Sequence, residues 1–332
     1  LRIMDRIPQR YVIDHRDTVK DPVGRFGKRL ESTFNFVLGS ATLIDRLEKT
    51  LMALGVRSRK TYANALASAE AVLLPEEREM GVAVVDLGKG TTDVCVWHDN
   101  AVRFARGIPF GTGDIDSDIH QQGILEKHVE GLKTNFGVAM ADMVETDRLI
   151  GIAGRSPREK QEISQRNLAT IIEHRLREII GFVVDEIGDS GYADRLRGGI
   201  VLTGGGSRLT GIDALLREAT GMEVRLALPD VNVADQSLDM AQDPSYATVI
   251  GLLLKAAGEG STARTAPGPG VASGANPIGE STGKNGKGAK SGKENEKEEK
   301  GQSGKKPKKQ RGSIMDWFNR IIDDPLDGDE DL

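Results

Sequence analysis

Asp86-Leu-Gly-Lys-Gly-Thr-Thr-Asp93 places a carboxylate, two glycines and two hydroxyl side chains side by side between apolar strands. Glycines let a backbone turn tightly and approach a ligand closely. Around Gly88 and Gly90, exposed N–H groups and the hydroxyls of Thr91 and Thr92 can bind phosphate oxygens. Asp86, at the strand end, can hold Mg²⁺ through water, because bound Mg²⁺ keeps several waters. The other reading is an ordinary β-hairpin whose loop is rich in Gly and Thr. Thr203-Gly-Gly-Gly-Ser207 is a second loop of this kind, formed by Gly204, Gly205, Gly206 and Ser207 after an apolar strand. It is expected to open a helix, so that a helix N-terminus and bare backbone face the ligand. Its alternative is a tight strand–helix turn. The loops lie more than a hundred residues apart, and the two together carry more weight than either alone. Neither fits a Walker lysine motif or a dinucleotide-binding G-x-G-x-x-G.

The elements that must position these loops follow from hydrophobic periodicity. Strands are predicted at Phe34–Leu38, Gly81–Val85, Val94–Trp97, Ala101–Ile108 and Gly199–Thr203. A helix over Ala41–Leu54 carries Leu43, Ile44, Leu47, Leu51 and Leu54 on one face. Leu168, Ile171, Ile172, Leu176, Ile179, Ile180, Val183 and Ile187 keep helical spacing over about five turns. Alternation of strand, loop and helix argues an α/β fold.

The chain has 332 residues, enough for two domains, and 38% hydrophobic residues give it a real core. A net charge of −5 does not indicate a nucleic-acid partner. The single cysteine, Cys95, rules out an intrachain disulfide and a Cys-ligated zinc site, and the five histidines show no metal-ligand spacing. No apolar run reaches the roughly 18 residues a membrane span requires, and there is no signal-peptide pattern. The chain opens at Leu1 inside a patterned segment, so an upstream start is expected.

Composition breaks near residue 256. Ala256 to Gly312 holds 12 Lys or Arg against 6 Glu and almost no large apolar residues, and it is expected to be a disordered basic linker or a plain solvated spacer. Beyond it, Ile314, Trp317, Phe318, Ile321 and Ile322 form one apolar face over 313–322, with Ser313 as N-cap. Such a helix is too short to span a bilayer but can lie in its interface. Lys305, Lys306, Lys308, Lys309 and Arg311 favour an anionic membrane surface. The alternative is a helix docking on protein. Six acids in the tail 323–332 weaken the anchor, so several helices acting together would bind best.

The two glycine loops resemble the phosphate-2 and adenosine motifs of the actin/Hsp70/sugar-kinase ATPase superfamily. Within it, four stretches are similar to the FtsA family of actin-like bacterial cell-division proteins. They are Ile7-Pro-Gln-Arg-Tyr-Val-Ile-Asp14, Ala67-Ser-Ala-Glu-Ala-Val-Leu73, Gly154-Arg-Ser-Pro-Arg158 and Pro244-Ser-Tyr-Ala-Thr-Val-Ile-Gly-Leu-Leu253. The resemblance covers about residues 6–255. It implies an actin-like ATPase fold, two-domain, with ribonuclease-H-like sheets and flanking helices. The implied parts are subdomain 1C, partial, at 1–57; part of 1A at 58–80; 2A at 81–122; a mainly helical 2B at 123–190; the rest of 2A at 191–238; and a return to 1A at 239–255. ATP and Mg²⁺ are the implied cofactors. The implied partners are FtsZ, a second copy in an actin-like polymer, the anionic inner membrane surface and other divisome proteins, at the division site. Asp86, Gly88, Gly90, Thr91 and Thr92 are implied at phosphates and Mg²⁺, and Gly204 to Ser207 at the adenosine. Glu130 and Lys133 match a Glu-x-x-Lys that reaches ribose and base; read from spacing alone they are equally an i,i+3 surface pair.

Three departures stand out. The N-terminal phosphate-1 hairpin is missing, which implies a start well over a hundred residues upstream and reduced solubility of the cut sheet. Lys89 stands where these relatives usually have Gly. Asn64-Ala65 replaces a common Glu-Pro, and Asn cannot act as a general base, so ATP binding with at most slow hydrolysis is expected. The alternatives within the superfamily are a pilus-type membrane adaptor and a catalytic kinase or Hsp70-like ATPase.

Overall fold

The structure is a computed structural model that describes residues 1–19, 21–154 and 160–265. The stretch from 266 to 312, the segment 313–322 with Ile314, Trp317, Phe318, Ile321 and Ile322, and the acidic tail 323–332 lie outside the described residues. Residues 155–158 of the Gly154 motif do too.

The chain opens with strands β1 (Arg2–Ile13), β2 (Asp17–Val19) and β3 (Leu30–Gly39), followed by helix α1 (Ala41–Ala53). These strands form an antiparallel sheet in the order β2-β1-β3. Helices α2 (Asn64–Val72) and α3 (Pro75–Met80) lead into strands β4 (Val82–Leu87), β5 (Thr92–His98) and β6 (Ala101–Ile108). Helices α4 (Thr112–Gln121) and α5 (Glu126–Phe136), the hairpin β7 (Leu149–Ala153) and β8 (Lys160–Ser164), and the 25-residue helix α6 (Gln165–Asp189) come next. Strand β9 (Ile200–Thr203), helix α7 (Ile212–Thr220), strand β10 (Val224–Leu226) and helix α8 (Ala247–Thr265) complete the series.

The central sheet has the order β10-β9-β4-β5-β6. Strands β4, β5 and β6 run antiparallel as a meander, whereas β9 pairs parallel with β4, and β10 parallel with β9. This is the ribonuclease-H-like arrangement that the resemblance implies. Both faces are covered, which explains why β4 reads as a continuous apolar run. Ala83, Val85 and Leu87 pack with Leu176, Ile179 and Val183 of α6. Val82, Val84 and Cys95 face the other core, with Leu66 and Ala69 of α2 and Ile250 of α8. Burial pushes the Cys95 thiol up to about 12, so this cysteine serves packing. Helix α8 crosses α2 closely. A Cβ at Gly251 would lie 1.7 Å from the Ala67 carbonyl oxygen, so only glycine fits there.

Two expectations need correction. The linker does not begin at Ala256, because α8 continues to Thr265. Ala256 and Ala257 are good helix formers, and the helix carries on through Gly258 and Gly260. Nor does the second glycine loop open an α-helix directly. Gly205–Arg208 is a single 3₁₀ turn, and α7 starts at Ile212 behind a left-handed Gly211. The turn is closed by Ser207 N–H donating to the Gly204 carbonyl at 3.0 Å, with Gly204 at φ +85°.

Candidate nucleotide site

Strands β4 and β5 pair Asp86 with Asp93 in register, so the Gly88–Thr91 loop forms the tip of a true hairpin. Gly88 N–H donates to the Thr91 carbonyl at 2.9 Å across it. Asp86 is buried. Its Oδ2 accepts hydrogen bonds from Ser68 Oγ of α2 at 2.5 Å and Thr248 Oγ1 of α8 at 3.1 Å. Burial raises the Asp86 pKa, and these two hydroxyls only partly oppose the rise. Burial also raises the Asp93 pKa, as does the nearby Asp86 charge, against hydrogen bonds from Thr91 and Asn64. Asn64 therefore sits at the mouth of the hairpin as an amide donor to Asp93, where it cannot serve as a base.

The second glycine loop closes on the first. A Cβ on Gly204 would meet Asp86 Oδ1 at 2.3 Å, and one on Gly206 would meet Leu87 Cγ at 2.4 Å. Gly205 stays open to solvent. The hairpin tip is also clamped from the other side by α4. Thr112 N–H donates to the Gly88 carbonyl at 2.9 Å and Gly113 N–H to the Lys89 carbonyl at 2.7 Å. Side chains at Gly111 and Gly113 would collide with these carbonyls, at 2.6 and 2.9 Å from Lys89 O. The N–H groups at the start of α4 are thus spent on the loop.

A cleft of about 360 Å³ lies between these parts and is lined by Lys89, Thr112, Glu130, Lys133, Gly205 and Gly206, among others. Its size falls in the range of small-molecule sites. Lys133 is no surface residue: its side chain is 9% exposed, and its Nζ lies 2.6 Å from Asp116 Oδ1 and 3.3 Å from Glu130 Oε2. Partial burial works against the Glu130 charge, but Lys89 and Lys133 together hold its carboxyl below the usual range.

The structure therefore brings together Asp86, Gly88, Glu130, Lys133, Gly204, Gly205 and Gly206. It places others differently. Thr92 is fully buried and its hydroxyl donates to the Phe110 carbonyl at 2.9 Å, so it pins the loop and does not face the cleft. Ser207 is buried too, with its hydroxyl turned back to the Gly204 carbonyl at 2.7 Å. Thr91 is exposed and directed at Asp93. Gly90 has open space around it and no left-handed φ, so nothing steric requires glycine there. Sequence reasoning missed Asp116, Gly111 and Gly113. The pair of glycines two apart behind an apolar strand was the available signal. It also missed the hydroxyls of Ser68 and Thr248, which no local pattern reveals.

Among the described residues no cluster of three or more His, Cys, Asp or Glu can cage a metal. The chemistry still suits Mg²⁺. Asp86 and Asp93 are two carboxylates whose charges burial disfavours, with the Asp86 charge adding to the effect at Asp93, and Mg²⁺ takes one or two carboxylates beside phosphate oxygens and water.

Comparison with known proteins gives a consistent result. The sequence model described as "Cell division protein FtsA" matches residues 83–251, and one described as "SHS2 domain inserted in FTSA" matches residues 1–38. The chain is 34% identical to cell division protein FtsA of Neisseria meningitidis serogroup B over 254 residues, covering 76% of this chain and 61% of the relative. It is 31% identical to that of Escherichia coli K12 over 260 residues, again covering 76% and 61%. It thus spans about three fifths of the length of these relatives. Among solved structures, MreB5 of Spiroplasma citri bound to ADP has a TM-score of 0.56 at 17% identity, with 68% of each chain covered. The AMPPNP-bound form also has a TM-score of 0.56, at 18% identity, covering 68% of this chain and 67% of that one. At this identity the likeness shows the actin-like fold.

Proposed function

Because the chain belongs to the FtsA family of cell-division proteins, we propose that it is an ATP-binding, actin-like adaptor that tethers FtsZ to the inner face of the cytoplasmic membrane and helps assemble the division septum. One observation carries the nucleotide part: two glycine loops far apart in sequence close one cleft, with Glu130 and Lys133 on its wall. The MreB5 structures with ADP and AMPPNP share the fold and support this reading.

In this reading Gly88, Gly90 and Thr91 meet the phosphates, Gly204, Gly205 and Gly206 lie against the adenosine, and Glu130 and Lys133 reach the ribose and base. Asp86, with Asp93, holds Mg²⁺ through water, and the ion neutralises phosphate charge. Thr92 and Ser207 keep the loops in shape. Asn64 hydrogen-bonds Asp93 and offers no base, so turnover is slow at most and nucleotide serves assembly. The apolar face of Ile314, Trp317, Phe318, Ile321 and Ile322 supplies the membrane contact. Self-polymerisation at the division site multiplies that weak anchor, and FtsZ and other divisome proteins are recruited there.

Calorimetric titration of the full chain with Mg-ATP tests the site. Binding that Gly204→Ala removes is the expected result, since a Cβ there strikes Asp86. No binding to the unaltered chain would overturn it. Flotation on anionic vesicles tests the tether, and Trp317→Glu with Phe318→Glu is expected to abolish it.

A further inference from the structure

Lys89 sits at the tip of the hairpin and joins three other charges across the cleft mouth. Its Nζ lies 3.0 Å from Glu130 Oε2 and 3.2 Å from Asp116 Oδ2. The four groups Lys89, Lys133, Asp116 and Glu130 balance to zero charge. The two lysines are held in unlike ways. Lys133 is sealed in: its side chain is 9% exposed and also donates to the Thr112 carbonyl. The Lys89 side chain is 69% exposed. Its backbone, however, is fixed by Gly113 N–H at its carbonyl. Only the side chain is free to swing.

Swinging leaves no charge stranded. If Lys89 departs, Asp116 keeps Lys133 at 2.6 Å and Glu130 keeps it at 3.3 Å. Removing Lys133 instead would leave the half-buried Asp116 with only the exposed, screened Lys89 as its cation. Exposed ion pairs such as those of Lys89 are weak and screened, whereas a polyphosphate offers several charged oxygens to one ammonium. Hydrogen bonds to Glu130 and Asp116 raise the Lys89 pKa, so the group stays cationic across the neutral range.

We infer that Lys89 is the movable cation of the cleft: it releases Glu130 and Asp116 when a nucleotide enters and contacts the terminal phosphates, which adds to the preference for di- and triphosphates over the bare nucleoside. This rests on the nucleotide reading above. It assigns Lys89 a role that a glycine at this position could not fill.

The test is calorimetric titration of the full chain with adenosine, ADP and ATP, each with and without Mg²⁺. The variants are Lys89→Gly, Lys89→Arg and the distant charge control Lys49→Gln. Lys89→Gly is expected to weaken ADP and ATP about tenfold, most clearly without Mg²⁺, while adenosine changes less than about twofold. Retained adenosine binding shows that the cleft is intact. Lys89→Arg is expected to recover most of the loss, and Lys49→Gln to leave all three ligands unchanged. Equal loss of all three ligands would assign Lys89 to loop structure and overturn the inference. Unchanged or tighter ADP and ATP binding in Lys89→Gly would also overturn it. An unaltered chain that binds none of the three would remove the nucleotide reading itself, an outcome distinct from the others.

Discussion

The central sheet and the N-terminal sheet differ in what covers them. Strand β4 sends alternate residues into two separate cores, and every residue from Val82 to Leu87 is buried. In the N-terminal sheet Phe34, Phe36 and Leu38 of β3 are all exposed, and the apolar face of α1 buries Ile44 alone. Leu47, on that same predicted face, is 52% exposed. Periodicity thus marks which face of an element is apolar, and only tertiary structure decides whether another element covers it. The N-terminal sheet is joined to the rest partly through polar side chains. Gln9 Nε2 donates to the Val102 carbonyl and Asn35 Nδ2 to the Arg103 carbonyl, at 2.8 and 2.7 Å. Such a joint suits a module whose packing contribution is small.

The sharpest way to break this comparison is a matched pair of truncations. Leu176→Ala in α6 removes a fully buried side chain from the larger core and is expected to cost about 4 kcal/mol in urea unfolding. A loss below about 1 kcal/mol would mean that the core is loosely packed. The next effect is one of pH. Burial raises the pKa of Asp86 and of Asp93 above the ordinary 3.8. The folded chain therefore binds protons more readily than the unfolded one, and stability falls as pH rises from 3.8 through the folded-state values. Asp86→Asn is expected to flatten that fall and to raise the melting temperature at pH 7. A profile identical to that of the unaltered chain would show that the carboxylate pays no burial penalty. The smallest effect belongs to the N-terminal sheet. Leu47→Ala is expected to change stability by no more than about 0.5 kcal/mol. A larger loss would show that α1 is covered in solution.

The sequence shows the same unevenness in what it reveals. Ala101–Ile108 is legible as a strand to the residue, and α1 nearly so, because their apolar spacing is regular and their ends carry turn residues. Helix α6 is legible because eight of its apolar residues keep one face. Strand β1 is not, since Asp5 and Gln9 put polar residues on its inward-facing side and the pairing shifts between Ile3 and Asp5 and between Pro8 and Arg10. At the site, glycines announce the two loops, and Lys89 is visible as an odd residue within one of them. Asp116 carries no such mark. It matters only because α4 and α5 fold so that it lies between Lys89 and Lys133. Charge partners set by helix packing have no local signature.

The parallel pairing of β4 with β9 has a consequence in time. The hairpin β4–β5 and the meander to β6 are local and can form as soon as they are made. The second glycine loop is some 110 residues farther along the chain. At roughly 5–20 residues per second of synthesis, about 6–22 seconds separate the two halves of the cleft. Through that interval the β4 edge, apolar from Val82 to Val85, lacks the strand that later covers it. The nascent chain is thus most exposed to mispairing while its first glycine loop is already built, and helper proteins that shield open strand edges would act during those seconds.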